Sequence, residues 1–200
     1  MYRLFDSAIS GNAYKVRLLL HKLGLDVERI EMDVDDGSTR QAAFLACNPV
    51  GQVPVLQLPD GSYLAQSNAI LVYLAEGTRF WPTDRLARAQ ALQWMFFEQY
   101  NHEPTIAVVR HWIAHLGKTP ATEPQLPAKI AGGYRALGIM EAHLQSRPFF
   151  IGDQFSVADI ALYAYTHVAE EGGFDLGRFP AIGAWLHRVA GDPGHIGITD

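Results

Sequence analysis

The chain has 200 residues, 48% of them hydrophobic and 18% charged, which is the composition of a packed globular protein with one large or two small domains. Its formal net charge is −5 and its basic residues are not clustered, which argues against a nucleic-acid partner because phosphate binding needs concentrated lysine and arginine. No apolar run approaches the ~20 residues that cross a bilayer, and the N-terminus lacks a signal-peptide pattern, so we expect no membrane partner and a cytoplasmic location.

The single cysteine and one histidine pair limit the redox and metal chemistry. Cys47 cannot form an internal disulfide, which agrees with a reducing compartment and excludes a dithiol mechanism within the chain. His111 and His115 have metal-ligand spacing on a predicted helix, but Trp112 follows His111 where a zinc protease motif has glutamate. We therefore predict an unreactive thiol and no metal site.

Residues 1–76 carry the pattern βαβαββα. A strand over residues 2–5 precedes a helix with apolar residues at i, i+3, i+4 and i+7, which stops at Gly24. Alternating residues 30–34 predict a second strand, parallel to the first, and a short helix follows over 40–46. Residues 53–58 and 63–65 flank a strong turn signal and predict a hairpin, after which Ser67 is the expected N-cap of a helix closing at Gly77.

The composition changes after residue 76. Residues 77–83 are typical of a linker, and every periodic segment from 84 to 200 has the helical period. We expect one helix from 84 to about 116, a second that ends before Pro148 and a last one opened by Pro180. Ser156 and Asp159 have capping-box spacing, which predicts a helix start there and a fold-organising role for the acid.

The stretch NPVGQVPVL at 48–56 places Pro54 directly before an apolar strand. A proline that leads into a strand has no N–H for the ladder, and a tight approach there is a common place for a cis bond. A cis bond before Pro54 turns the N–H and C=O of Val53 outward, where an extended ligand can pair with them as an added strand. A plain loop entering a strand explains the same residues.

This order of elements, with NPVGQVPVL at 48–56, QSNAI at 66–70 and SVAD at 156–159, resembles the cytosolic glutathione transferases over nearly the whole chain. The stretch SGNAYKVR at 10–17 is similar to the serine-type bacterial and theta-like members. The resemblance implies an α/β thioredoxin-like domain over 1–76, a linker over 77–83 and an all-α domain over 84–200. It also implies glutathione as cosubstrate and a homodimer.

For the sulfur, the resemblance implies that Ser10 faces the glutathione thiolate. A hydrogen bond to a charged group contributes roughly 1.5 to 3 kcal/mol, so one hydroxyl lowers a thiol pKa from about 8.5 by about 1 to 2 units. Asn12 is the alternative activator, since some related bacterial members place an asparagine amide near the sulfur. From the residues alone, a turn that caps the following helix is the favoured interpretation of Ser10.

For the two ends of glutathione, the resemblance implies separate receptors. Ser67 at a helix N-terminus suits the γ-glutamyl carboxylate, and this role is compatible with capping. Gln66 stands where the family more often has an acid, so it can accept from the ligand's ammonium only as a neutral amide.

The middle and the glycyl end of glutathione have their own candidates. The cysteinyl backbone is expected against Val53, which Pro54 exposes. Arg40 and Gln52 are candidates for the glycyl carboxylate, with exposed surface side chains as the alternative interpretation of both.

For the second substrate, the aromatic and basic stretch from 100 to 112 offers Tyr100, Arg110 and His111 as weak candidates for the pocket wall, although helix packing explains it too. The implied function is a detoxifying transferase that directs the thiolate at a small hydrophobic electrophile. A glutathione-dependent disulfide reductase or peroxidase and a noncatalytic ligand-binding relative are the alternatives. The sequence does not identify the electrophile.

Overall fold

The computed structural model describes every residue from Met1 to Asp200, in two compact units. Unit 1 comprises Met1–Thr78 and Pro193–Asp200, and unit 2 comprises Arg79–Asp192. The elements of unit 1 are β1 (Tyr2–Asp6), α1 (Gly11–Lys22), β2 (Val27–Glu31), α2 (Ala42–Leu45), β3 (Val55–Gln57), β4 (Tyr63–Ala65) and α3 (Ser67–Ala75). This order confirms the predicted βαβαββα fold.

The sheet of unit 1 is mixed, with strand order β2-β1-β3-β4. β1 pairs parallel with β2 and antiparallel with β3, and β3 pairs antiparallel with β4. Leu4 lies opposite Leu56 in the middle of the sheet, and both side chains are fully buried. The buried leucines of α1 and the apolar face of α3 pack together to complete this core.

Two strand boundaries differ from the prediction. β2 spans Val27–Glu31 and not 30–34, because the parallel register sets Asp6, the last residue of β1, opposite Glu31. The N–H of Met32 then makes one last bond to the Asp6 carbonyl. β3 begins at Val55 and not at residue 53, because Pro54 has no N–H to donate to the ladder.

The predicted N-cap of α3 was wrong by one residue. β4 ends at Ala65, so Gln66 alone makes the turn into α3 and occupies the N-cap position, with φ of 72°. Ser67 is consequently the first helical residue, and no side chain caps the helix. A positive φ is uncommon outside glycine, so Gln66 holds a constrained backbone conformation.

Unit 2 is helical, with α4 (Arg85–Phe97), α5 (Glu103–Arg110), α6 (Leu126–Leu144), α7 (Val157–Thr166) and α8 (Pro180–Ala190). The helix predicted over 84 to about 116 is interrupted by π-helical turns at Glu98–His102 and His111–His115. The first interruption precedes Pro104, whose ring nitrogen cannot donate to the preceding turn, which explains the break. No helix in either unit has the length and apolar character needed to cross a bilayer.

Asp159 confirms the predicted capping box at the start of α7, a helix whose residues are all buried. Its carboxylate accepts from the N–H of Ser156 at 2.9 Å, the N–H of Phe150 at 3.0 Å and Nε1 of Trp185 at 3.0 Å. Burial raises the pKa of Asp159 to about 6, against the opposing effect of these donors. This acid thus ties the start of α7 to α8.

The last eight residues, Pro193–Asp200, form a return segment that belongs to unit 1. The sequence pattern predicts a helical domain up to residue 200, whereas α8 ends at Ala190 and the return segment belongs to unit 1. Pro193 cannot continue a helix, and Gly194 adopts a φ of +77° that turns the chain.

Candidate functional site

One edge of the sheet in unit 1 gathers the candidate glutathione residues. Phe5 lies opposite Val55, and Val55 lies opposite Ala65. The end of β1, the beginning of β3 and the end of β4 therefore meet at one edge. The segments that continue from this edge carry Ser10 after β1, Val53 and Pro54 before β3, and Gln66 with Ser67 after β4.

Ser10 ends the turn between β1 and α1. Its Oγ accepts from the N–H of Ala13 at 3.3 Å, and its own N–H donates to the carbonyl of Ser7 at 2.9 Å. Ser10 is therefore the N-cap of α1, as one of the two interpretations predicted. Accepting this bond leaves the hydroxyl proton available for a thiolate, so capping does not conflict with a catalytic role.

A buried polar cluster of Asn12, Lys15 and Ser67, here the Lys15 cluster, joins the first turns of α1 and α3. Oδ1 of Asn12 accepts from Nζ of Lys15 at 2.7 Å and from Oγ of Ser67 at 3.0 Å. Nζ of Lys15 also lies 3.5 Å from Oγ of Ser67. Two donors on Oδ1 fix the Asn12 amide, so that its Nδ2 lies on the side opposite to them.

The Lys15 cluster makes the start of α3 electropositive. The Lys15 side chain is 0% exposed, and the N–H groups of the first turn of α3 have no side-chain cap. An ammonium group beside a helix N-terminus favours a bound carboxylate. Sequence reasoning did not select Lys15. The feature that could have identified Lys15 is its position among the apolar residues of α1, three residues after Asn12, which sets the two side chains on one face of the helix.

The turn before β3 is held by Asn48 and Arg40. Asn48 is buried, and its amide donates to the carbonyl of Gln52 at 2.8 Å and accepts from the N–H of Val50 at 3.2 Å. Nη1 of Arg40 donates to the carbonyl of Val50 at 2.8 Å. Gly51 has a φ of +68°, and a Cβ there lies 2.6 Å from Nη1 of Arg40, so only glycine fits. Sequence reasoning gave Asn48 no role.

Val53 precedes a cis peptide bond to Pro54, the isomer that the sequence pattern allowed but did not require. The ladder with both neighbouring strands begins two residues later, at Val55, so the Val53 backbone lies outside the pairing of the sheet. Gln52, which precedes β3, and Gln66, which follows β4, are both exposed.

Unit 2 does not bring its three candidate residues together. Tyr100 is 79% exposed, and the buried Nε of Arg110 pairs with the Glu171 carboxylate at 2.6 Å. Tyr100 lies ten residues before Arg110 on nearly continuous helix, which corresponds to about 15 Å along the axis. His111 follows Arg110, and its ring lies 6.1 Å from that of His115. No three His, Cys, Asp or Glu side chains are grouped to hold a metal ion.

Comparisons with known proteins agree with this fold. Residues 1–76 match the family model described as "Glutathione S-transferase, N-terminal domain", and residues 100–193 match "Glutathione S-transferase, C-terminal domain". The crystal structure of a glutathione S-transferase from Pseudomonas fluorescens superposes with a TM-score of 0.97 at 48% identity, covering 100% of this chain and 99% of that one.

Two further relatives are similar over nearly the full length. A glutathione transferase from Burkholderia graminis, solved with two glutathione molecules per subunit, has a TM-score of 0.84 at 27% identity over 96% of this chain and 85% of that chain. The disulfide-bond oxidoreductase YfcG of Escherichia coli is 28% identical over 93% of this chain and 89% of its own length. With both of its domains matched and the thioredoxin-like sheet in place, the chain belongs to the glutathione S-transferase family.

Proposed function

We propose that the protein is a glutathione transferase of the serine type, which binds glutathione along the sheet edge where β1, β3 and β4 meet. The carrying observation is the register of Phe5, Val55 and Ala65, because it brings the segments that carry Ser10, Val53 and Ser67 to the same end of neighbouring strands. Glutathione has a γ-glutamyl carboxylate, a cysteinyl backbone and a thiol branching from that backbone, all within reach of one such surface. Each receptor then takes one part of the ligand.

The γ-glutamyl carboxylate binds at the first turn of α3. Ser67 supplies a backbone N–H, its hydroxyl proton turns from Oδ1 of Asn12 to the ligand on binding, and the helix N-terminus supplies a partial positive charge. Lys15 adds a formal positive charge near the ligand. A carboxylate bonded to Oγ of Ser67 lies about 6 Å from Nζ of Lys15. Gln66 stands beside the ligand's ammonium group and accepts from it as a neutral amide.

This placement of the γ-glutamyl end sets the positions of the cysteinyl and glycyl units of glutathione. The cysteinyl unit pairs with the N–H and C=O of Val53 as an added strand. Arg40 and Gln52 serve the glycyl carboxylate. Arg40 keeps donors beyond the bond to Val50, since a guanidinium carries five N–H groups.

The thiol loses its proton to solvent, and the Ser10 hydroxyl stabilises the resulting thiolate by donating a hydrogen bond. The sulfur attacks an electrophilic carbon, a C–S bond forms, and the leaving group departs with its electron pair. The Asn12 amide, fixed by the Lys15 cluster, is the alternative donor.

Disulfide reduction is the second candidate function, because YfcG is a disulfide-bond oxidoreductase and matches nearly the whole chain. In that reaction the bound thiolate attacks one sulfur of a mixed disulfide and the other sulfur leaves as a thiolate. The chain has one cysteine, so glutathione and not a protein dithiol would carry the electrons. A peroxide is the corresponding oxygen substrate.

One set of variants tests these assignments. Ser10→Ala is expected to raise the pKa of the bound thiol by about 1 to 2 units, measured from thiolate absorbance against pH, while the exposed Ser146→Ala control leaves it unchanged. If Asn12→Ala raises the pKa and Ser10→Ala does not, the amide is the activator. If neither changes a pKa already near its free value, the noncatalytic alternative is favoured.

Substrate panels separate the two activities. We expect turnover of an aryl halide such as chlorodinitrobenzene by the unmodified protein. Turnover of a mixed glutathione disulfide or a hydroperoxide without any aryl halide activity would assign the protein to the reductase or peroxidase function instead.

We also propose that the protein is a cytoplasmic homodimer. α4 exposes large apolar side chains, with Leu86 66% and Phe96 63% exposed, and Leu92 lies on the same broad face at 100° per residue. Such a face suits a second copy of the chain. Phe96→Glu is expected to give monomers in light scattering, with the exposed Ala142→Glu of α6 as the control. A monomeric unmodified protein contradicts the proposal.

A further inference from the structure

The return segment lies against α1 and β2 through its own backbone carbonyls. Five carbonyls accept from side chains of unit 1: Pro193 from Lys22 at 3.1 Å, Gly194 from His21 at 3.0 Å, Ile196 from Tyr14 at 2.7 Å, Ile198 from Arg17, and Asp200 from Arg29 at 2.7 Å. These bonds hold the segment along α1 and β2, and it ends in a turn in which the N–H of Asp200 donates to the carbonyl of Gly197 at 3.3 Å.

Arg17 connects the return segment to the turn that carries Ser10. Its guanidinium is buried and pairs through Nη1 with Oδ1 of Asp6 at 2.5 Å. The same Nη1 lies 3.3 Å from the carbonyl of Ser7, and Nη2 lies 3.3 Å from the carbonyl of Ala8. One rigid planar group thus contacts the end of β1, the turn and the return segment.

The Ser7 carbonyl links Arg17 to Ser10. It accepts both from Arg17 and from the N–H of Ser10, the latter at 2.9 Å. A second connection runs through Tyr14, whose N–H donates to the Ser10 carbonyl at 2.9 Å and whose hydroxyl donates to Ile196. Both sides of Ser10 are therefore tied to groups that the return segment holds in place.

Asp6 completes the arrangement. Its carboxylate is fully buried and also accepts from Nε of Arg29 at 2.8 Å, so both arginines that contact the return segment share this acid. Removing one acceptor from a buried, paired arginine leaves its charge less compensated, and the group then shifts toward its remaining partners.

We propose that Arg17 is a positioning residue for Ser10, and that the return segment holds Arg17 in the geometry that aims the Ser10 hydroxyl at the glutathione sulfur. This inference rests on the proposed role of Ser10. A hydrogen bond weakens steeply with distance and angle, so a small shift of the turn weakens stabilisation of the thiolate without removing the subsites at Val53 and Ser67.

The test compares two variants that act on the same guanidinium. A chain ending after Gly197 deletes the acceptors Ile198 and Asp200 but keeps the bond from Tyr14 to Ile196. Arg17→Lys keeps the charge but lacks the planar fork that reaches Asp6, the turn and the return segment together. His21→Ala is the control, because it removes a bond to the return segment that does not involve Arg17.

Both variants are expected to raise the pKa of bound glutathione thiol by about 0.5 to 1 unit, with a KM for glutathione within about twofold of the unmodified protein. The rate with an aryl halide falls about three- to tenfold below pH 7 and recovers at high pH. The double variant shows no larger shift than the larger single one, since both changes act through one group. Amide exchange of residues 7–10 becomes faster.

Three results overturn the inference: an unchanged thiol pKa in both variants, a loss of rate that is equal at all pH values, or additive effects. If the shortened chain does not fold, the pKa of the bound thiol in Arg17→Lys tests the inference by itself. Ser10→Ala is measured in the same series. If it raises the thiol pKa while the other two variants do not, only this inference fails; if no variant raises it, the assignment of Ser10 fails as well.

Discussion

Lys15→Met is the substitution that most directly tests the γ-glutamyl receptor. A carboxylate bonded to Oγ of Ser67 lies about 6 Å from Nζ of Lys15, given the 3.5 Å between these two atoms. At an effective dielectric constant of about 20, this distance corresponds to about 3 kcal/mol, or roughly a 100-fold loss of affinity when the charge is removed. Methionine fills nearly the same space, so we expect the fold to persist.

Calorimetric titration with glutathione measures the loss, and the exposed Lys118→Met serves as the control. Cysteinylglycine, which lacks the γ-glutamyl residue, is the matched ligand, and both Lys15→Met and the unmodified protein are expected to bind it equally. Affinity for glutathione within twofold of the unmodified protein would refute the role of Lys15. An equal loss for both ligands would show that the substitution disturbs the whole site instead of removing a charge.

Two further predictions concern unit 2. Because the folded-state pKa of Asp159 is about 6 and its unfolded value is 3.8, folding binds protons between these values. The stability advantage of the unmodified protein over Asp159→Asn therefore decreases by about 2 kcal/mol as pH rises from 4 to 7, measured by urea unfolding; a constant difference contradicts this. In α6, Gly133→Ala sets a Cβ 2.4 Å from Cε1 of Phe174 and is expected to destabilise the protein by about 1 to 3 kcal/mol. Gly138→Ala, with nothing within 4 Å, is the matched control and is expected to stabilise it slightly; equal urea midpoints would contradict both expectations.

Features that depend on neighbouring residues were predictable from the sequence. The capping box of Ser156 and Asp159 and the proline opening α8 each involve groups within one turn, so spacing alone indicates them. The parallel pairing of β1 with β2 and the hairpin of β3 and β4 also followed from the alternation of elements and the turn signal. These signals are local, and no distant partner competes with them.

Features that depend on distant partners were not predictable. The ends of β2 follow from its register with β1, and the helical position of Ser67 follows from the backbone conformation of Gln66. Lys15 acquires its role only because α3 brings Ser67 to the start of α1. The return segment has no periodic pattern at all, and its bonds use carbonyl groups that every residue carries.

That last property governs how the return segment tolerates change. Since backbone carbonyls make most of its contacts with α1 and β2, side-chain replacements at residues 196, 198 and 199 leave these bonds available, whereas replacing His195 removes the 3.4 Å contact of its Nε2 with the Tyr14 hydroxyl. Insertion or deletion of a single residue between Gly194 and Ile198, in contrast, changes the spacing of the acceptors and moves some of them away from Tyr14 and Arg17. This part of the chain is therefore constrained more by the spacing of its carbonyls than by the identities of most of its residues.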